Sequence, residues 1–122
     1  FINSVVNGKN IVLHSKGEAI RNFCYIADFI GGLFHVIFKG KIGEVYNVSS
    51  ELEYSIKQLA LMLTEDIFKD KNLSVDFDLN SNKYLRAEFN KTTVSTKKVR
   101  ELGWLINFDI KEGMKRTIES YL

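Results

Sequence analysis

The sequence predicts a mixed α/β domain of about four helices and short strands, and three observations carry that prediction. Short apolar or alternating runs stand between segments with helical spacing. Two helix starts carry capping-box patterns, Ser55-Ile-Lys-Gln58 and Asp109-Ile-Lys-Glu112. The strand candidates are small pieces, not the long series that a complete doubly wound sheet requires. With 122 residues the chain has room for one domain. At that size roughly two-thirds of the unfolded surface can be buried, so a core is feasible.

Taken in order, Ile11-Val-Leu-His14 is the first strand candidate, set off by Asn7-Gly8 before it and Lys16-Gly17 after it. Phe23-Cys-Tyr-Ile26 reads as a second strand, with Asp28 placed as a helix N-cap. From Phe29 to Phe38 the chain is apolar almost all round, broken only by Gly31, Gly32 and His35, and Gly40 ends it. A helix apolar on every face requires cover on every face. Adjacent glycines inside it cost about 1 kcal/mol each in propensity, so they imply a close backbone approach. Glu44–Val48 reads as a third strand. The helix opened by Ser55 carries Ile56, Leu59, Ala60, Leu63 and Ile67 on one stripe and runs to about Lys69. Val75, Phe77 and Leu79 alternate with Asp76 and Asp78 as a half-buried strand. Residues 80–92 read as a polar loop. Ser95 then caps a short helix that ends at Leu102-Gly103, and Trp104 follows. The last helix turns Ile110, Met114, Ile118 and Tyr121 inward and leaves Lys111, Lys115, Arg116 and Glu119 wet.

Composition excludes several classes. Hydrophobic residues are 45% and charged residues 26%, as in ordinary globular proteins. A formal charge of +2, evenly spread, gives no nucleic-acid surface. No apolar run approaches the ~18 residues that span a bilayer. One cysteine, Cys24, makes no internal disulfide, and two histidines, His14 and His35, build no metal cluster alone. With no signal-peptide pattern, a reducing, cytoplasmic setting is expected, and the sequons at Asn47, Asn72 and Asn90 carry no weight. The first residue is Phe1, so an excised piece of a longer chain is also expected. No glycine-rich strand-to-helix turn, Gly-x-Ser-x-Gly elbow, phosphate-binding loop or Cys/His spacing is present. The residues alone show no catalytic apparatus, and no catalytic, cofactor-binding or metal-binding residue is assigned.

Five blocks carry more. Gly17-Glu-Ala-Ile-Arg21-Asn-Phe23-Cys-Tyr25-Ile-Ala-Asp28 is followed by Gly40-Lys-Ile-Gly43-Glu-Val-Tyr46-Asn-Val48 and Ser55-Ile-Lys-Gln-Leu59-Ala60. Ser95-Thr-Lys97-Lys-Val-Arg-Glu-Leu102-Gly-Trp104 and Glu112-Gly-Met-Lys-Arg-Thr117-Ile118 complete the series. In this order they resemble the blocks of the extended short-chain dehydrogenases, the NAD-dependent nucleotide-sugar epimerases, 4,6-dehydratases and decarboxylases. The resemblance implies the C-terminal, substrate-binding portion of such an enzyme over residues 1–122, without the nucleotide-binding part. In the parent enzyme it implies a tyrosinate base and hydride exchange with NAD; no cofactor is expected in this fragment. It implies too that the apolar helix packs against the nucleotide-binding sheet, so this chain should expose that face or hide it in an oligomer.

The same resemblance implies that Arg21 reaches the diphosphate of a nucleotide sugar, through the paired donors of its guanidinium. The plainer alternative is a surface arginine paired with Glu18 or Asp28. Arg86 is the candidate for a second diphosphate arginine, although its context lacks the usual Arg-x-x-Asp pattern. The strand at Leu13 is the candidate to line the base, against a plain core role. Trp104 reads as an apolar anchor. Two departures, Ala19 where relatives have Gln and Val94 where they have Asp, leave the sugar unresolved. The expected partner is a nucleotide sugar, with no nucleic acid and no membrane. The rival is a non-catalytic binding or assembly module of the same fold.

Overall fold

The computed structural model describes residues 1–79 and 91–122. The order is α1 (Ile2–Val6), β1 (Ile11–Leu13), β2 (Ile20–Asn22), α2 (Ile26–Lys39), β3 (Glu53–Ser55), α3 (Ile56–Leu61), β4 (Val75–Phe77), α4 (Lys97–Glu101) and α5 (Ile110–Glu119). The mixed α/β class and the small sheets are as the sequence implies. Among the described residues there are two two-stranded sheets, β1 parallel to β4 and β2 antiparallel to β3. The core joins Val5, Ile11, Leu13, Ala60, Leu63 and Ile118, with Met114 and Ile67 packed against it. The start of the chain, β1, α3 and α5 thus share one apolar centre. Helix α1 was not foreseen: it spans barely more than one turn, too short to show periodicity.

Several expectations shift for physical reasons. The second strand lies at 20–22 and not at 23–26, because its partner sets the register: Ile20 faces Ser55, Arg21 faces Tyr54 and Asn22 faces Glu53. Glu44–Val48 pairs with no strand among the described residues. The capping box at Ser55 forms as expected: Ser55 Oγ accepts from Gln58 N at 3.0 Å and Gln58 Oε1 from Ser55 N at 2.7 Å. The helix it opens does not stay regular to Lys69. Thr64 Oγ1 donates to the carbonyls of Ala60 and Leu61, competing with the backbone ladder. The turns widen to a π-helix over Met62–Ile67, and a 3-10 turn at Lys69–Lys71 ends it. Asp109 caps α5 by accepting from Glu112 N at 2.8 Å. Ile118 is buried there, but Tyr121 lies past the end of the helix and is exposed.

Ser95 does not cap α4. Thr96 holds the cap position, and a carboxylate from elsewhere does the work: Glu51 Oε1 accepts from Thr96 N at 3.1 Å and Thr96 Oγ1 at 2.7 Å. Arg100 donates to the other oxygen at 3.0 Å. The Thr96 hydroxyl, and after it the Thr96 N–H, hold the Glu51 carboxyl below the usual carboxylate range.

Asp28 differs most from expectation. Helix α2 begins at Ile26 with Tyr25 as N-cap, so Asp28 lies in the first turn and caps nothing. Its side chain is buried, with the residue only 2% exposed, and reaches across to the segment before α5. Oδ1 accepts from Asn107 N at 3.0 Å and Asn107 Nδ2 at 3.1 Å, and Oδ2 accepts from Phe108 N at 3.0 Å. The Asp28 carbonyl takes the Trp104 indole N–H at 2.9 Å, so Trp104 is the buried anchor expected of it.

The two glycines of α2 separate in role. A Cβ on Gly32 would strike Val48 Cγ1 and come within 3.2 Å of the Trp104 ring, whereas one on Gly31 meets only Trp104 at 3.8 Å. Gly32→Ala is therefore expected to destabilise by about 1–3 kcal/mol through overpacking. Gly31→Ala should be neutral or stabilise by up to ~1 kcal/mol through helix propensity. Thermal unfolding of the two variants checks this, and equal midpoints would contradict the assignment.

Candidate functional site

The site is built on β2. Gly17 turns the chain into it at φ +69°, where a Cβ would lie 2.9 Å from Lys57 Cβ, so only glycine lets α3 approach. Lys57 N donates to Gly17 O at 2.9 Å and Ile56 N to Ala19 O at 3.1 Å. The start of α3 thereby holds the approach to the strand. One edge of β2 pairs with β3; on the other, Lys91 bridges Ile20, and Thr92 N donates to Ile20 O at 3.3 Å.

Alternation then sorts the side chains. Asn22 and Glu53 share one face, and Lys91 Nζ lies 2.8 Å from Glu53 Oε2. Arg21 and Tyr54, paired in register, share the other. Arg21 is half-buried, and Nη1 donates to Ile20 O at 2.7 Å, which bends the guanidinium back along its own strand. The carboxylate of Asp28, one of the two partners weighed for Arg21, is engaged with Asn107 and Phe108.

Leu13 lies in the core, 3% exposed, and its carbonyl accepts from Asp78 N at 2.8 Å. Its side chain is packing, and it reaches the Gly17 turn that leads into β2. Beside it at the end of β1, His14 Nδ1 is 3.5 Å from Asp78 Oδ2. Arg86 lies outside the described residues. The structure therefore joins Leu13 to the Arg21 strand through the Gly17 turn.

The cavities lie elsewhere. One of about 330 Å³ is lined by Ser50, Glu51, Thr96, Arg100, Trp104 and Leu105, around the Glu51 cap of α4. Another, of about 300 Å³, opens beside Tyr54, Gln58 and Met62, next to the Arg21–Tyr54 face. Sequence reasoning missed Tyr54: its nearness to Arg21 depends on strand register, and β3 carries no alternating apolar signal. Burial, and then the nearby Asp28 carboxylate, push the Cys24 thiol up, so it is a poor thiolate nucleophile. Among the described residues no three His, Cys, Asp or Glu side chains gather as a metal site, and no helix is long and apolar enough to cross a membrane.

Comparison with known proteins agrees with this architecture. Residues 1–49 match the family described as NAD dependent epimerase/dehydratase. Human dTDP-D-glucose 4,6-dehydratase is 32% identical over 99% of this chain, which covers 35% of the human protein. The chain thus spans about a third of the length of the curated relatives it matches. UDP-glucose 4-epimerase of Thermotoga maritima superimposes with a TM-score of 0.82 at 21% identity, over 98% of this chain and 37% of that one. UDP-glucuronic acid 4-epimerase of Bacillus cereus, whose structure holds UDP-glucuronic acid and NAD, gives 0.80 at 24% identity over 99% and 38%. With sequence likeness along nearly its whole length and the fold in common, this chain is similar to the NAD-dependent epimerases and dehydratases and matches the C-terminal portion of their structures.

Proposed function

We propose that this chain is the nucleotide-sugar-binding part of an NAD-dependent sugar-nucleotide epimerase or 4,6-dehydratase acting in the cytoplasm. Residues 1–122 form one substrate-binding domain of it, without catalytic activity of its own. The observation that carries this reading is Arg21: a half-buried guanidinium on a short strand held on both edges and at its approach by α3. A diphosphate accepts paired, charge-assisted hydrogen bonds from such a group. Arg86 is the proposed second arginine. Leu13 supports the base indirectly, by packing beneath the turn that places β2.

NAD belongs to the parent enzyme and does not fit the residues described. A pyrophosphate needs free N–H groups at a helix start. Here Ser55 and Gln58 fill the start of α3, Asp109 that of α5 and Glu51 that of α4. At α2 the first turn carries Asp28, whose charge has the sign of the phosphate's.

Two measurements test the reading. NADH titrated into the chain and followed by its fluorescence should show no saturable binding at micromolar concentration; clear saturation would contradict the assignment. UDP and dTDP, titrated calorimetrically, should bind wild type more tightly than Arg21→Ala. Loss of a charged partner at about 1.5–3 kcal/mol corresponds to roughly 10- to 150-fold in affinity. Arg21→Lys, which keeps the charge without the fork, should fall between them. Equal affinity in a folded Arg21→Ala variant would make Arg21 a structural residue.

A further inference from the structure

Strand β2 is flanked on both edges, and an ion pair crosses it. Glu53 of β3 faces Asn22 on one edge, and Lys91 bridges Ile20 on the other. Ile20 and Asn22, two residues apart, point to one side of the strand, and Arg21 points to the opposite side. Lys91 Nζ lies 2.8 Å from Glu53 Oε2, so the lysine side chain runs diagonally over the back of β2 as a strap. The two sides of the strand meet at one atom. Ile20 O accepts from the N–H of Thr92, the residue after Lys91, at 3.3 Å, and from Arg21 Nη1 at 2.7 Å. A carbonyl oxygen has two lone pairs, so it can hold both donors.

We propose that Lys91 and Glu53 are positioning residues for Arg21: their ion pair keeps the Thr92 N–H on Ile20 O and so frees the guanidinium to turn to a diphosphate. A diphosphate that takes both prongs of the fork draws Nη1 away from Ile20 O. With the Thr92 N–H in place, that carbonyl keeps a partner. Without it, the same movement leaves a part-buried acceptor unpaired, which opposes the release. The proposal rests on the Arg21 reading and adds to it two residues that touch no ligand. Both side chains of the pair are partly exposed, so the strap contributes little to overall stability. Its effect is on the local order of β2.

Calorimetric titration of UDP into Glu53→Gln and Lys91→Met tests this. Both should bind more weakly than wild type, by up to about fivefold, the most an exposed ion pair is worth. The double variant should be no weaker than either single one, because each already breaks the pair. Lys91→Arg, which can still span the strand, should recover most of the loss. A plain charge effect gives opposite signs, Lys91→Met weakening and Glu53→Gln strengthening the binding of an anion, and that pattern would overturn the proposal. The Arg21 Nε–Hε NMR signal gives a readout without nucleotide: both single variants should shift it, and Lys91→Arg should leave it close to wild type. Variants that lower the melting temperature yet leave that signal and UDP affinity unchanged would make the pair structural only. If the signal responds while wild type binds no UDP, the diphosphate reading fails and the coupling through Ile20 O stands. If Arg21→Ala weakens UDP binding but both strap variants bind as wild type does, the diphosphate reading stands and this proposal fails.

Discussion

The buried carboxylate of Asp28 is the interaction on which the rest of this structure depends. A carboxylate away from water is costly unless hydrogen bonds replace its hydration. Here three N–H donors from Asn107 and Phe108 do so, and among the described residues no cation pairs with it. Because those donors lie about 80 positions along the chain, the bond fixes the first turn of α2 against the stretch that introduces α5. Trp104 completes the clasp from the same turn, and Gly32 exists to let that ring and Val48 come close.

From the clasp the arrangement of the candidate site follows. Strand β2 runs into α2 through only three residues, 23–25. Tyr25, at the junction, meets Phe108 edge to face at 5.2 Å and packs against Gly113 of α5, where a Cβ would be 2.9 Å away. Arg116 lies 4.5 Å over the other ring of that pair, Phe108, and holds Glu112 at 2.7 Å. One end of β2 is therefore anchored through Tyr25 to α5, while its other end is held by the start of α3 at the Gly17 turn. Arg21 lies between two fixed points. That is the constraint a phosphate-binding arginine needs, since its fork selects geometry only when the backbone beneath it does not move.

Local chemistry was legible where one stretch of sequence contains the whole cause. The boxes at Ser55 and Asp109 need only four consecutive residues, and the glycine pair in an apolar helix announced a close approach before the neighbour was known. What was illegible lies between distant segments. The register that moves β2 to 20–22 is decided by Glu53–Ser55, and Glu44–Val48 has strand character that local sequence alone does not turn into a pairing. Asp28 reads as a cap because its donors, at 107 and 108, carry no signal that points back to it. Glu51 capping α4 is the same case. Arg21 was singled out only through resemblance to a family, and its pairing with Tyr54 could be read by neither route.

Hydrogen exchange of the Asn107 and Phe108 backbone amides tests the central claim most directly. Both lie in a segment without helix or strand, where only the Asp28 carboxylate protects them. The account predicts exchange as slow as that of the α2 amides, because opening the clasp means separating α2 from the segment before α5. Exchange at the rate of an open turn such as Gly43 would contradict it, and the clasp would then be incidental to the fold.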